Sequence, residues 1–135
     1  MRKILLFMIT LTGTVLTKAQ TIESSSRSTI GYIKSDGTIE NSSHSTLGYI
    51  RSDGTIENSR RSTIGYIRND GTIESKSRST VGYVKEDGTV ENSSRSALGY
   101  IKDDGTVENA SRSTIGYAPG IKKEWVAVVY FFFKL

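Results

Sequence analysis

The chain repeats one phrase of seventeen residues for most of its length. Glycines 31, 48, 65, 82, 99 and 116 are evenly spaced, and each is followed by a tyrosine. A half-copy, TIESSSRST, precedes the full copies and another, IGYAPG, follows them; the five full copies begin at Ile30, Leu47, Ile64, Val81 and Leu98. Such fixed self-similarity indicates a repeat architecture, in which each unit buries its apolar face only against its neighbours.

Each copy has the pattern of a β-hairpin. The apolar run IGYI leads into Lys-Ser-Asp-Gly and TIE leads out, and Asp-Gly is a strong turn signal. We expect the two residues before Gly37 to form a type I turn and Gly37 to adopt the left-handed conformation. Ile33 then faces Ile39 on one side of the hairpin, and Tyr32 faces Glu40 on the other, because side chains alternate along a strand.

The apolar face of one hairpin is too small to be stable alone. Each copy supplies about three aliphatic side chains, counting the residue before the glycine, and an isolated hairpin is marginal in water. Around an axis the copies would share one core, and the complementary half-copies let the last strand pair with the first. The sequence therefore predicts an all-β fold, a closed pseudo-symmetric array of hairpins with five full repeats and two half-repeats. The half-copies either build a sixth hairpin-like unit or lie elsewhere.

These residues resemble a known family. The IGYI-xxDGTIENSS unit, a leader ending in Ala-Gln and an aromatic C-terminal tail look like the exported bacterial proteins called five-fold β-flower proteins. The resemblance covers almost the whole chain after the leader and implies hairpins that radiate like petals around a pseudo-symmetry axis. It implies no activity, so no functional residue is carried over from it.

Residues 1–19 have the pattern of a secretory signal peptide. A basic start, MRK, precedes an apolar stretch too short to span a bilayer, and small residues at Thr17 and Ala19 mark a cleavage site. We expect cleavage after Ala19 and export to the periplasm, the cell surface or the medium; an uncleaved anchor is the alternative. Without residues 1–19, 15 basic residues face 14 acidic ones, and the net charge of +4 falls to near +1. So small an excess argues against nucleic acid as a partner.

The mature chain divides into a repeat domain (20–120) and an apolar C-terminal segment (121–135). This segment, IKKEWVAVVYFFFKL, is almost wholly apolar from Trp125 to Phe133 and too short for a transmembrane helix. Its β-branched and aromatic content favours a strand buried on both faces over a helix. We expect the segment to close or plug the repeat core; docking of an exposed aromatic patch on a membrane or a partner is the alternative.

Repetition turns single residues into rings that could bind a ligand. One candidate is a basic rim that could grip an anionic ligand such as an acidic glycan or a phosphate head group, formed by Arg27, Arg61, Arg78, Arg95 and Arg112, with His44 in the remaining unit. The other is an aromatic ring that could cage a cationic group or simply pack against its neighbours, formed by Tyr32, Tyr49, Tyr66, Tyr83 and Tyr100. A glutamate lies four residues before each rim residue, so the same loops could carry surface ion pairs of little individual strength.

Catalysis and metal binding find little support in the residue types. The chain has no cysteine and one histidine, which excludes thiol chemistry, disulfides and histidine-rich metal sites. The aspartates of the Asp-Gly turns could attract Ca²⁺, but aspartate before glycine is ordinary turn chemistry. We therefore expect no enzyme activity, cofactor or metal site. The sequence favours an exported module with a multivalent surface for a glycan, an envelope surface or a protein partner; a purely structural envelope protein is the alternative.

Overall fold

The computed structural model describes residues 19–134, so the predicted signal peptide lies outside the described residues except for Ala19. Twelve short strands are followed by a short helix and a π-helical turn. The strands are β1 (Ala19–Ser24), β2 (Thr29–Lys34), β3 (Thr38–Asn41), β4 (Thr46–Ile50), β5 (Thr55–Asn58), β6 (Thr63–Ile67), β7 (Thr72–Ser75), β8 (Thr80–Val84), β9 (Thr89–Asn92), β10 (Ala97–Ile101), β11 (Thr106–Asn109) and β12 (Thr114–Tyr117). The helix α1 spans Lys123–Ala127, and the π-helical turn spans Val128–Phe132.

The strands form one closed antiparallel barrel in which every strand pairs with its neighbours in the chain. β1 pairs with both β2 and β12, which closes the ring and leaves no free edge among the described strands. The predicted all-β, closed array of hairpin repeats is therefore confirmed. Closure explains how strands of four to six residues persist, since each is hydrogen-bonded on both sides.

The hairpins have the predicted register. Tyr32 pairs with Glu40 and Ile33 with Ile39 in the first hairpin, and the same pairing recurs in the later copies. The amide of Gly37 donates to the carbonyl of Lys34 at 2.9 Å, and its φ of 92° is the left-handed value expected of the bulge glycine. The Asp-Gly signal thus sets both the turn and the strand register, and the two isoleucines share the inner face.

The two half-copies together build a sixth unit. Glu23 of β1 pairs with Tyr117 of β12, and Ser24 pairs with Gly116. This is the register in which Glu40 meets Tyr32 in the first hairpin. The ring therefore has five hairpins joined by Asp-Gly turns and a sixth assembled from the two ends of the repeat domain.

A bulge in each unit leaves the residue before the glycine unpaired, and in five of the six units this residue reaches the core, whereas Ile30 is 46% exposed. Gly48 faces Ile39 and Thr46 faces Glu40, so Leu47 between them has no partner on the opposite strand. Strict alternation would point this side chain outwards. Leu47 instead packs, half-buried, against the apolar core, as do its equivalents Ile64, Val81, Leu98 and Ile115.

The C-terminal segment fills the inside of the ring. Val126, Ala127 and Val128 are fully buried among the inward isoleucines and valines of the repeats. The segment enters at the end of the barrel that carries the Asp-Gly turns, the turn end. There Lys123 pairs with Asp103 at 2.6 Å, and the Gln20 side-chain amide donates to the carbonyl of Gly120 at 2.9 Å.

The prediction of a strand for this segment is wrong. Every strand of the ring is already paired on both sides, so a single strand inside it would have no ladder for its own N–H and C=O groups. A helix bonds these groups within itself, and α1 and the π-helical turn do so. The aromatic and β-branched side chains that suggested a strand serve to fill the interior instead.

Four successive aromatic residues of the segment lie on four successive glycines of the ring. A Cβ atom at any of these glycines would overlap the facing ring, and it would also overlap a backbone oxygen of the neighbouring strand. The pairs are Tyr130 on Gly116, Phe131 on Gly99, Phe132 on Gly82 and Phe133 on Gly65. The glycine of the repeat is therefore required by close packing, both between strands and against the segment.

Candidate functional site

The outer face of each unit carries a cluster of one tyrosine, one glutamate and basic side chains. In the second unit the guanidinium carbon of Arg61 lies 3.6 Å from the centre of the Tyr49 ring. Arg61 Nη1 donates to Glu57 Oε1 at 3.2 Å, and Arg51 Nη1 donates to Glu57 Oε2 at 3.1 Å. Tyr49 and Glu57 face each other across the strands, so strand register brings the parts together. We call this arrangement a rim cluster.

All six units have a rim cluster. Four others place an arginine on a tyrosine at 3.6 Å and pair it with a glutamate: Arg27 with Tyr117 and Glu23, Arg78 with Tyr66 and Glu74, Arg95 with Tyr83 and Glu91, and Arg112 with Tyr100 and Glu108. In the first unit His44 stacks on Tyr32 at 4.3 Å and pairs with Glu40 at 2.9 Å. The basic rim and the aromatic ring predicted as separate candidates are thus one set of composite clusters.

The glutamates are more buried than a ladder of surface ion pairs implies. Glu57 is 5% exposed and Glu74 is 4% exposed, whereas the arginines above them lie mostly in solvent. The hydrogen bond from Arg68, ahead of that from Arg78, lowers the pKa of Glu74 below its ordinary value of 4.5. In the first unit the hydrogen bond from His44 is the main cause of the lowered pKa of Glu40. In the five full copies the carboxylate is therefore buried and holds the basic side chains above it in place, whereas Glu23 of the sixth unit is half-buried.

The second basic residue of each cluster was not among the predicted site residues. It stands just before the turn, and its side chain reaches the free carboxylate oxygen of the cluster glutamate. The residues are Lys34, Arg51, Arg68, Lys85 and Lys102. The signal was present in the sequence, since all five full copies have a lysine or arginine at this position. Pro119 occupies it in the sixth unit, so within residues 19–134 Glu23 pairs with Arg27 alone.

The rim arginines adopt a backbone conformation that ordinary residues avoid. Arg61 has a φ of 70° and Arg78 a φ of 72°, and the other rim residues, including His44, are similar. The left-handed conformation costs a residue with a Cβ about 1–2 kcal/mol relative to the right-handed one, and glycine or asparagine usually takes such a position. Five units nevertheless place an arginine there, so the side chain must contribute something that glycine would not.

The turn aspartates act as turn residues. Asp36 Oδ1 accepts the amide of Thr38 at 3.0 Å, and the aspartates of the other four turns do the same. This hydrogen bond lowers the pKa of each of these carboxylates. Within residues 19–134 no three histidine, aspartate or glutamate side chains are grouped so that they could hold a metal ion.

Two clefts open beside the second and third hairpins. The outer cleft, of about 540 Å³, runs along the third rim cluster and includes Tyr66, Arg68 and Arg78. The turn-end cleft, of about 440 Å³, lies between the turns of these hairpins and the start of the C-terminal segment, and Trp125 forms part of its wall. Both clefts are lined by charged and polar groups beside an aromatic ring.

No helix within the described part of the chain is both long and apolar enough to cross a membrane.

Comparison with known proteins gives one result. The family described as 5-fold beta-flower protein matches residues 19–134, which include all twelve strands and all but the last residue of the C-terminal segment. No curated protein and no solved structure is significantly similar to the chain.

Proposed function

The chain belongs to the 5-fold beta-flower protein family, and from the geometry of its outer face we propose that it is an exported, non-enzymatic binding module. Its rim clusters would bind an anionic, repeating ligand, for which an acidic glycan of the envelope or of the extracellular medium is the best candidate. The observation that carries the proposal is the arginine stacked on tyrosine and paired with a glutamate, present in five units with a histidine in the sixth. The glutamate is buried in four of these five units and half-buried in the unit of Arg27.

The stacked guanidinium groups are oriented and still available. A guanidinium has five N–H donors, and the rim arginines use Nη1 for the glutamate. The side chain of Arg61 is 59% exposed and that of Arg78 is 62% exposed, so other donors of each group face solvent. Because tyrosine and glutamate already restrict the side chain, a ligand loses less rotamer entropy when it binds than it would on a free arginine.

The clusters carry a small net positive charge that adds up around the barrel. Arg51, Glu57 and Arg61 together hold a charge of +1, and the third, fourth and fifth units have the same balance. A single unit of this charge would bind an anion weakly. A polymer that touches several units at once gains avidity without any stronger contact, which favours a repeating ligand.

The backbone of the rim supports a role for the arginine side chain. Glycine at these positions would remove the free-energy cost of the left-handed backbone conformation. The stack on tyrosine and the ion pair with glutamate stabilise arginine there by about the same amount. Arginine therefore adds little net stability over glycine. Retention of its side chain in five units is better accounted for by a ligand than by the fold.

The test is a glycan array probed with the protein purified from the exported fraction, next to a variant with Arg61, Arg78 and Arg95 changed to glycine. Glycine accepts the left-handed backbone, so this variant should remain folded, and circular dichroism checks that it does. Exposed Arg60 and Lys76 lie outside the clusters, and their change to alanine is the control that removes two positive charges from the surface without touching a cluster. We expect binding to uronate- or sulfate-bearing polysaccharides that the glycine variant loses and the control keeps.

Other outcomes would contradict the proposal. Binding that is reduced equally in both variants would indicate a general effect of charge rather than the clusters. A folded wild-type protein that binds no glycan on the array would favour the alternative, a structural envelope protein without a small ligand. Mass spectrometry of the same exported sample would test cleavage after Ala19, since retention of residues 1–19 would argue against a released module.

A further inference from the structure

The turn end departs from the six-fold repetition of the barrel. The helix α1 packs most closely against β8 and β10 and makes fewer contacts with the strands of the other hairpins. The inward residue before the turn, buried in four hairpins, is partly exposed in the third, where it is Ile67. An apolar surface that the other units hide is therefore accessible beside the second and third turns, where the turn-end cleft lies.

The turns beside α1 are also more acidic than the turns beside the cleft. The turns beside α1 read Lys-Glu-Asp and Lys-Asp-Asp, and Lys123 of α1 pairs with Asp103 of the latter. The turns beside the cleft read Arg-Ser-Asp and Arg-Asn-Asp, with no added acid. The C-terminal segment thus occupies the acidic side of the turn end and leaves the arginine-bearing side open.

The turn-end cleft combines an apolar wall with groups that can bind one anion and several hydroxyls. Trp125 and Ile67 provide the apolar surface. Arg51 and Arg68 line the cleft, and each uses Nη1 for its cluster glutamate, which leaves other N–H donors for a ligand.

Three further charged groups limit what the cleft can accept. Lys122 lies 5.7 Å from the centre of the Trp125 ring, and the carboxylates of Asp53 and Glu124 also line the cleft. Counted with the two arginines, the lining has a net charge of +1. A polyanion would be repelled by the carboxylates, whereas a ligand with one negative charge and several hydroxyls would satisfy both kinds of group.

We propose that the turn-end cleft binds a single acidic sugar residue of the uronic acid type. Its carboxylate would accept hydrogen bonds from Arg51 and Arg68, the arrangement for which guanidinium is best suited. Its apolar ring face would lie on Trp125, and its hydroxyls would donate to Asp53 and Glu124. This site goes beyond the proposed function, because it is single, lies at the turn end and shares none of the stacked rim arginines.

Trp125 is the chain's only tryptophan, so its fluorescence reports on this cleft directly. The purified full-length mature protein is titrated with methyl β-D-glucuronide and, in parallel, with methyl β-D-glucoside and with inorganic phosphate. We expect a saturable fluorescence change with the glucuronide and binding at least tenfold weaker for the glucoside and for phosphate.

Two matched variants locate the effect. Arg68→Gln removes one arginine of the cleft, and Lys85→Gln makes the equivalent change in the next unit, outside the cleft; each also removes one contact to its cluster glutamate. We expect Arg68→Gln to weaken glucuronide binding at least tenfold and Lys85→Gln to leave it unchanged.

The proposal is overturned if a folded sample shows no saturable change, if the two variants weaken binding equally, or if glucoside or phosphate binds as well as the glucuronide. The glycine variant of Arg61, Arg78 and Arg95 should keep glucuronide binding, so failure of the rim proposal and failure of this one are separable.

Discussion

The outer rim and the interior of this barrel use the same repeat in opposite ways. On the rim every unit makes nearly the same contacts, and even the substitution of His44 keeps the stack on tyrosine and the pairing with glutamate. In the interior a single non-repeating segment meets the ring, and four of its aromatic residues lie on four of the glycines. On the rim, repetition therefore provides many copies of one weak contact. In the interior, the fold depends on a single element that is not repeated, the C-terminal segment.

Deletion of residues 121–135 should have the largest effect, because it empties the interior. Val126, Ala127 and Val128 are fully buried, and their loss with the facing aromatics would leave a cavity that the hairpins cannot collapse to fill. Since domains of this size are stable by only about 5–15 kcal/mol, we expect the truncated chain not to fold. Circular dichroism and proteolysis would check this, with Ile30→Ala, at a position 46% exposed, as a near-neutral control. A folded truncated barrel would show that the ring needs no segment inside it.

A pair of glycine substitutions separates the two reasons for the glycine ring. A Cβ at Gly31 would overlap only the backbone oxygen of Glu40, whereas one at Gly99 would overlap both the oxygen of Glu108 and the ring of Phe131. We expect Gly31→Ala to lower the free energy of unfolding by about 1–3 kcal/mol and Gly99→Ala to lower it further. Urea denaturation gives both values. Equal losses of unfolding free energy would mean that Phe131 can move away from the added Cβ at little cost. Only the close spacing of the strands would then require glycine.

The two regions should also respond to opposite extremes of pH. Outside, the turn aspartates and Glu74 have pKa values below their ordinary 3.8 and 4.5 in the folded protein. As the pH falls, these groups are therefore protonated in the unfolded chain before they are protonated in the folded one. Their stabilisation is complete above those ordinary values and is lost as the pH falls through the lower folded ones. Inside, burial raises the pKa of Tyr130 from 10.0 to about 12, so stability should fall as the pH rises between these values.

Thermal denaturation across the pH range, compared with Tyr130→Phe, would measure both effects. The variant loses the hydrogen bond from the Tyr130 hydroxyl to the carbonyl of Glu23, so its stability should be lower near neutral pH. It should lose less additional stability above pH 10 than the wild type does, while its acid response stays the same. An alkaline loss that is identical in the two proteins would assign that loss to other groups.

Much of the fold could be predicted because its information is local and repeated. The Asp-Gly turn sets the register of Ile33 with Ile39, and complementary half-copies indicate closure. The conformation of residues 121–135 could not be predicted, because their apolar composition suits a buried strand as well as a buried helix. The choice depends on the absence of a free strand edge inside the ring, and only the assembled barrel shows that.

The candidate site was predictable in its residue types but not in its arrangement. The rings of arginine and tyrosine are visible as periods in the sequence, and the glutamate four residues before each arginine suggested their pairing. The stack of Arg61 on Tyr49 depends on a left-handed backbone that arginine seldom adopts, so no local signal indicates it. The turn-end cleft exists because the non-repeating segment packs mainly against β8 and β10. The repeat pattern of the sequence is the same in every unit, so it cannot predict this asymmetry.

The sixth unit, which joins Glu23 near one end of the chain to Tyr117 near the other, also has a consequence for the order of events in synthesis. A growing chain can form individual hairpins early, but it cannot close the ring until the last strand has emerged, and the interior cannot fill until the residues after it follow. Contacts of such sequence separation form late and slowly. If the chain is exported as proposed, this delay would keep it unfolded, as translocation across a membrane requires, and the barrel would fold only after export.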